Sequence, residues 1–314
     1  MDRQIHILVT GGAGFVASAI AEKLAEKPEH FVVIVDNFLT GTQDKIPTSK
    51  HDNIRFIRCD VNNYVDLSTV MISHQFEFVF HYAAVVGVQR TLDNPVMVLS
   101  DLHGFRNVLE LSKNSGVKRV FFSSSSEVYG EPVELPQNEE TTPLNSRLPY
   151  AIVKNAGEAY LRSYQKEYGL SYTIFRFFNT YGPKQSKDFV ISRFLAMALS
   201  NQDIVVNGDG KQTRTFCYID DNTEACLNAF YRNEFVNDVV NIGSDKEITI
   251  RELADVVIAV TGSKSKVVFG PSLSEGDMTR RMPDTRKMST LLNKTPLTLE
   301  EGLRKILSDT KYIL

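Results

Sequence analysis

A tyrosine and a lysine lie four residues apart in the segment Tyr150-Ala-Ile-Val-Lys154, at the start of the helix-like run YAIVKNAGEAYLRSYQKEYG. A spacing of four places both side chains on one face of a helix. A tyrosine ionises with a pKa of about 10, so it is a weak base at neutral pH unless a neighbouring cation favours its phenolate. The pair could therefore move a proton to or from a substrate, although the same spacing also fits a structural tyrosine beside a lysine.

A second group of reactive side chains occupies the stretch SSSSEVYG, residues 123–130, directly after the apolar run VKRVFF. Ser123, Ser125, Ser126 and Glu127 fall where this predicted strand ends. Parallel α/β sheets bind their ligands beyond the carboxyl ends of the strands. The stretch is therefore a candidate active site, and a polar turn at a strand end is the alternative interpretation.

The segment TGGAGFVA, residues 10–17, follows an apolar run and opens a helical pattern, which is the setting of a phosphate-binding loop. Gly11 and Gly14 would let the backbone approach a pyrophosphate, and the amides at Phe15 and Val16 would face its charge. The next apolar run ends in Asp36, where an acid would bind the adenosine ribose and repel a 2′-phosphate. The pattern predicts NAD rather than NADP, and an ordinary strand-to-helix turn is the alternative.

The third apolar run ends in Asp60, which could contact the adenine amine or simply face solvent. With NAD bound, its cationic nicotinamide would act with Lys154 to favour the phenolate of Tyr150. That tyrosine could then take a proton from a sugar hydroxyl while a hydride leaves the same carbon.

The elements that must position these residues alternate between short apolar runs and helical patterns through the first half of the chain. Continuous apolar strands separated by helices indicate a parallel sheet covered on both faces. We predict an α/β fold, a Rossmann-type doubly wound parallel sheet with a smaller α/β C-terminal substrate-binding region. The predicted domains are residues 1–180 and 181–314, with segments 171–178 and 239–244 candidates to return to the main sheet.

The composition excludes several classes of protein. The chain has 314 residues, 42% of them hydrophobic, and a net charge of −3, so nothing favours nucleic acid or an anionic membrane as a partner. Its three cysteines, Cys59, Cys217 and Cys226, match no metal-ligand spacing, and neither a zinc site nor a disulfide framework is expected. No apolar segment is long enough to span a bilayer. We expect a soluble, cytoplasmic protein without a bound metal.

Taken together, the motifs resemble those of the extended short-chain dehydrogenase/reductases, in particular the NAD-dependent nucleotide-sugar epimerase/dehydratase family. The resemblance covers almost the whole chain. It rests on the segments TGGAGFVAS, VDNFLTG, CDV, HYAA, SSSSEVYG, YAIVK, RFFNTYGP, GDGKQTRTFCYIDD and GDMTRRMPD.

The resemblance implies roles for individual residues. Ser125 is similar to the serine or threonine that binds the sugar 4-hydroxyl, Tyr150 to the proton-transferring tyrosine, and Lys154 to the lysine that orients the nicotinamide ribose. The family's remaining NAD contacts correspond to Gly11, Gly14, Phe15, Val16, Asp36, Asn37, Asp60, Val61, Tyr82, Ala83, Ala84, Ser100, Ser123 and Phe177.

The same resemblance implies a nucleotide-sugar substrate. An asparagine and arginines would contact its diphosphate, and a short strand would hold its base. The implied substrate contacts are Val88, Ser125, Asn179, Arg193, Val205, Asn207, Arg214, Arg280 and Arg281. One departure concerns the nicotinamide: the family often has an asparagine before a Gly-Thr pair, whereas this chain has Ser100 and Asp101 there, followed by Phe105.

Three reactions share a first oxidation at C4 of the sugar. The form LPYAIVKNAGEAYL favours a 4-epimerase that acts on a UDP-sugar. Such an enzyme needs no further acid or base. Ser126 and Glu127, with the Arg281-Met-Pro-Asp284 segment, resemble UDP-glucuronate decarboxylases instead. The 4,6-dehydratases carry an Asp-Glu pair that is absent here. A regulator that only binds NAD would not need Ser125, Tyr150 and Lys154.

The family's dimers form through two helices whose counterparts here are the runs DNPVMVLSDLHGFRNVLELSKN and PYAIVKNAGEAYLRSYQKEYG. Both runs carry apolar side chains on more than one face, as helices buried on two sides do. We expect a homodimer.

Overall fold

The computed structural model describes residues 3–271 and 280–309. The side chain of Val88 lies outside the described part of the chain, as do the first residues of the GDMTRRMPD motif. No helix in the described ranges is both long enough and apolar enough to cross a bilayer.

Seven parallel strands form the central sheet. From one edge of the sheet to the other they are β11 Asp238–Ile242, β6 Ser171–Phe177, β5 Arg119–Ser125, β4 Phe78–His81, β1 Ile5–Thr10, β2 His30–Asp36 and β3 Ile54–Arg58. The chain order reverses beside β1, so the sheet is doubly wound as predicted, and a ligand crevice is expected at its carboxyl edge.

The helices of the first half cover this sheet on both faces. They are α1 Phe15–Ala25, α2 Tyr64–His74, α3 Val88–Asp93, α4 Pro95–Leu99, α5 Asp101–Ser115 and α6 Pro149–Tyr168. The run DNPVMVLSDLHGFRNVLELSKN does not form one helix, because the chain breaks at Asn94 before Pro95 and again at Ser100. A residue that precedes proline is disfavoured in helical geometry, which accounts for the first break.

The C-terminal region is smaller and combines helices with three two-stranded sheets. Its helices are α7 Val190–Leu199, α8 Ile219–Tyr231, α9 Ile250–Thr261, α10 Arg286–Leu291 and α11 Leu299–Ser308. The small sheets pair β7 Thr180–Tyr181 with β10 Cys217–Tyr218, β8 Ile204–Asn207 with β13 Val267–Gly270, and β9 Thr213–Thr215 with β12 Glu247–Thr249.

Two apolar cores fill the two faces of the central sheet, and a third lies in the C-terminal region. The third core also receives Phe15 and Val16 from the start of α1, so the two regions pack against each other beside the glycine loop. β11 pairs with β6 and returns the chain to the central sheet. The boundary at residue 180 stays a prediction.

Candidate active site

One cavity lies at the carboxyl edge of the central sheet, where the ends of β1, β2, β4, β5 and β6 meet the C-terminal region. It brings together most of the residues singled out in the sequence, from positions far apart in the chain. Those that line it are Gly11, Gly14, Phe15, Val16, Asp36, Asn37, Asp60, Val61, Tyr82, Ala83, Ala84, Ser123, Ser125, Ser126, Glu127, Tyr150, Lys154, Phe177, Asn179 and Arg281.

The glycine loop makes a close backbone passage between β1 and β4. Gly11 has a φ of +74°, and a Cβ atom at this position would lie 2.8 Å from the backbone nitrogen of Ala83. The hydroxyl of Thr10 accepts hydrogen bonds from the backbone amides of Tyr82 and Ala83, each at 3.1 Å. These contacts hold the ends of the two strands together, so only glycine fits at position 11.

The start of α1 suits a phosphate group. Gly14 is its N-cap and provides no side chain to accept a hydrogen bond from the first turn. Phe15 and Val16, which begin the helix, line the cavity. Amides at an uncapped helix N-terminus attract anions, so a dinucleotide pyrophosphate fits this position.

Asp36 ends β2 inside the cavity and organises the adenosine end. Its Oδ2 accepts a hydrogen bond from the amide of Ala13 at 3.0 Å, and its Oδ1 accepts one from the amide of Phe38 at 2.7 Å. Burial raises the pKa of the carboxyl group, while the two amides oppose this shift. The side chain therefore holds the glycine loop and leaves lone pairs for ribose hydroxyls.

Lys154 projects from α6 onto the end of β5. Its Nζ donates a hydrogen bond of 2.6 Å to the carbonyl oxygen of Ser123, and the side chain is only 2% exposed. Burial lowers the pKa of the ammonium group to about 8, and the carboxylate of Asp101 opposes that shift. A lysine with this pKa remains mostly charged at neutral pH and can donate to ribose hydroxyls.

Tyr150 lies one helical turn before Lys154, and the lysine Nζ is 5.7 Å from the centre of its ring. The pKa of Tyr150 is raised, first by burial and then by the Glu127 carboxylate. A hydrogen bond with Ser125 and the charge of Arg281 act in the opposite direction. Burial has the largest effect on this pKa, and the Lys154 ammonium is hydrogen-bonded to Ser123 rather than to the phenol.

Glu127 and Arg281 form an ion pair inside the cavity, with 3.6 Å between Oε1 and the guanidinium NH1. The Arg281 side chain is 8% exposed and that of Glu127 is 21% exposed. The backbone amide of Glu127 also donates to the hydroxyl of Ser125 at 3.2 Å. A carboxylate and a guanidinium thus lie beside the proton-transferring candidates Ser125 and Tyr150.

Of the predicted site residues whose side chains the structure describes, six do not line this cavity. The hydroxyl of Ser100 donates to the carbonyl oxygen of Val96, and its neighbour Asp101 lines the cavity instead. Arg280 pairs with Glu247 on the surface. The other four, on or next to α7, β8 and β9, are Arg193, Val205, Asn207 and Arg214.

One of these residues carries a feature that fits a substrate phosphate. The Nε of Arg193 is buried and has no hydrogen-bond partner among the described residues. A buried guanidinium nitrogen without an acceptor is costly, and a diphosphate oxygen would satisfy it.

Sequence reasoning missed several residues of the cavity wall. Asp101 was marked only as a departure from the family pattern, yet its Oδ2 accepts a hydrogen bond of 2.8 Å from the amide of Val85. The other wall residues that the sequence analysis did not single out are Thr91 on α3, Val190 and Ile191 on α7, Phe216 inside the motif GDGKQTRTFCYIDD, and Val86, Gly87, Gln185 and Phe189 outside the helices and strands.

Comparisons with known proteins agree with this arrangement. The model of the NAD dependent epimerase/dehydratase family matches residues 7–243. A putative UDP-glucose 4-epimerase of Methanocaldococcus jannaschii is 35% identical over 308 residues, which are 96% of this chain and 97% of that protein. A UDP-N-acetyl-alpha-D-glucosaminuronate decarboxylase of Bacillus cytotoxicus is 36% identical over 315 residues, 95% of each.

Among solved structures, the UDP-glucose 4-epimerase of Thermotoga maritima, determined with UDP-glucose, superposes with a TM-score of 0.90 at 32% identity. The match covers 96% of this chain and 97% of that one. The chain therefore belongs to the NAD-dependent epimerase/dehydratase family, and its cofactor is NAD.

Proposed function

We propose that this protein is a UDP-sugar 4-epimerase, which oxidises C4 of the sugar to a ketone and then returns the hydride to the opposite face. The observation that carries the oxidation step is the convergence of Ser125, Tyr150 and Lys154 on one cavity wall beside the glycine loop. NAD, when bound, accepts the hydride and gives it back.

Tyr150, Ser125 and Lys154 have different roles in the oxidation at C4. Tyr150 takes the proton of the 4-hydroxyl, and Ser125, which hydrogen-bonds to Tyr150, shares that proton with it. Lys154, fixed on Ser123, would hold the ribose of the cofactor, and its positive charge favours the phenolate with which Tyr150 accepts the proton. Ser125 and Lys154 are both buried, and a low local dielectric strengthens their electrostatic interactions.

Two observations support a UDP-sugar and the epimerase outcome. The Thermotoga structure that superposes on this chain contains UDP-glucose, and the Methanocaldococcus relative is described as a putative UDP-glucose 4-epimerase. Ser126 also stands where a 4,6-dehydratase would carry an aspartate, so elimination of water lacks its acid.

The Glu127–Arg281 pair favours a second candidate function, decarboxylation of a UDP-uronic acid. Epimerisation requires no acid or base beyond the C4 set, whereas this pair faces the cavity within reach of Tyr150. After oxidation at C4, loss of carbon dioxide from C5 breaks the C5–C6 bond and leaves an enolate, which an acid must protonate. Glu127 could relay that proton from water to the enolate, and Arg281 could bind the substrate carboxylate.

A substrate panel separates the two candidates. Purified protein is incubated with UDP-glucose, UDP-GlcNAc, UDP-glucuronate and UDP-N-acetylglucosaminuronate, and the products are identified by NMR. We expect one sugar to convert to its C4 epimer without net formation of NADH. Release of carbon dioxide or a stable 4-keto product would replace epimerisation with the second candidate or with dehydration.

A further inference from the structure

Glu127 and Arg281 come from segments more than a hundred residues apart, yet one buried hydrogen-bond network supports the backbone behind both. On the Glu127 side the network begins at Tyr129, which closes the short helical turn Ser126–Tyr129 that carries Glu127. The Tyr129 hydroxyl is buried, donates to Oδ1 of Asn241 at 2.8 Å and accepts from Arg176 at 2.7 Å.

On the Arg281 side the network ends at residues 281–284, which we call the Arg281 strap. The side-chain amide of Asn241 donates to the carbonyl oxygen of Gln137 at 2.8 Å. Gln137 in turn pairs with the strap through two backbone hydrogen bonds of 2.8 Å. The amide of Gln137 donates to the carbonyl oxygen of Met282, and the amide of Asp284 donates to the carbonyl oxygen of Gln137. Asn241 therefore joins the turn that carries Glu127 to the strap that carries Arg281.

The remaining partners make this network rigid. Arg176 forms two hydrogen bonds with the carboxylate of Glu158, at 2.9 and 2.8 Å, and the hydroxyl of Ser124 donates to the same carboxylate at 2.7 Å. Arg176 and Glu158 are both almost fully buried. Removal of one member of such a network leaves buried polar groups without partners, so its geometry resists small displacements.

Neither Tyr129 nor Asn241 lines the cavity, so neither is positioned to contact the substrate. We propose that Tyr129 and Asn241 are positioning residues that hold Arg281 against Glu127 at the sugar end of the cavity. The inference rests on the proposed function in one respect: it assumes that the sugar of the substrate binds at that end of the cavity. Through this network Tyr129, the tyrosine of SSSSEVYG, sets the geometry of the Glu127–Arg281 pair.

A double-mutant cycle tests the proposal. Tyr129→Phe removes only the hydroxyl and keeps the ring that packs on Phe178. In the otherwise natural protein we expect it to lower kcat/KM about tenfold, because Arg281 is displaced relative to the sugar; in the Arg281→Met background we expect a change of less than about twofold, because no Arg281 is left to position. An equal loss in both backgrounds would show that Tyr129 acts on folding alone and would overturn the proposal.

A second measurement does not depend on turnover. Hydrogen exchange of the Gln137 and Asp284 amides should accelerate at least about tenfold in Tyr129→Phe, because the bridge to the strap loosens. Tyr164→Phe, which removes a hydroxyl bonded to Glu110, should leave both amides unchanged. Unchanged exchange in Tyr129→Phe would refute the coupling. If exchange is faster in Tyr129→Phe but the unmodified protein converts none of the four UDP-sugars, the coupling is supported and the proposed function is refuted.

Discussion

The Nζ atom of Lys154 lies 2.6 Å from the carbonyl oxygen of Ser123, so the lysine of α6 is anchored to the end of β5. This contact fixes the helix face that also carries Tyr150 against the strand that carries Ser125. The three residues of the proposed C4 chemistry therefore share one rigid support, although the helix and the strand are separated in sequence by more than twenty residues.

The buried charge of Lys154 predicts the alkaline side of the pH profile. Its pKa is lowered to about 8, so the ammonium is present below that pH and is lost as pH rises through it. We expect kcat/KM to fall above a pH of about 8. Asp101→Asn removes a carboxylate that raises this pKa, so the fall should move to lower pH, as measured by initial rates between pH 6 and about 10.

The matched control is Asp93→Asn, an exposed carboxylate that accepts a hydrogen bond from Gln89. It should leave the alkaline limb where it is. A profile of Asp101→Asn that coincides with that of the unmodified protein would show that Asp101 does not act on Lys154.

Tyr150→Phe tests the proton transfer. The substitution keeps the ring and removes only the hydroxyl, so the NAD site should be preserved while turnover falls by about a hundredfold or more. The measurements are turnover by NMR and NAD content after purification. Turnover within threefold of the original protein would remove Tyr150 from the mechanism.

Glu127→Gln separates the two candidate functions. The variant loses the acid but keeps a side-chain oxygen that can accept a hydrogen bond from Arg281, so Arg281 stays in place, and an epimerase does not use the acid itself. We expect epimerisation to change by less than about threefold. Glu131→Gln, on the exposed segment that follows the motif, is the control. A loss of about a hundredfold confined to Glu127→Gln, with release of carbon dioxide by the unmodified protein, would instead establish decarboxylation.

The predicted homodimer can be tested on α4 and α6, which pack against each other and expose apolar side chains. Val96 is 76% exposed and Ile152 is 42% exposed. Ile152→Asp should dissociate the dimer to monomers at micromolar concentration, as measured by light scattering after size-exclusion chromatography, because an unpaired charge in an apolar interface is costly. Ile72→Asp, on the 71% exposed Ile72 of α2, should remain dimeric. A monomeric unmodified protein would contradict the prediction.

Much of the site could be predicted because each motif falls at the carboxyl end of a strand. In a parallel sheet these ends meet at one edge, so local patterns at Gly11, Asp36 and Ser125 were enough to predict that they share a cavity. The doubly wound sheet followed from the same alternation of apolar runs and helices, and the structure confirms it.

What could not be predicted depends on contacts between distant segments. The pair of Glu127 and Arg281 requires the strap to be held by Gln137, and no local pattern encodes that bridge. The raised pKa of Tyr150 follows from burial and from Glu127, neither of which the spacing of Tyr150 and Lys154 reveals. Asp101 lines the cavity from the first turn of α5 and accepts a hydrogen bond from the amide of Val85, a contact between segments that the apolar pattern does not reveal.

The central claim is that the protein oxidises C4 of a nucleotide sugar with its bound NAD. The most direct test is stopped-flow absorbance at the reduced-nicotinamide band after the protein is mixed with each UDP-sugar of the panel. We predict a transient rise that decays as product forms, and no rise in Tyr150→Phe. Turnover of a UDP-sugar without any such rise, or a rise that persists unchanged in Tyr150→Phe, would contradict the account.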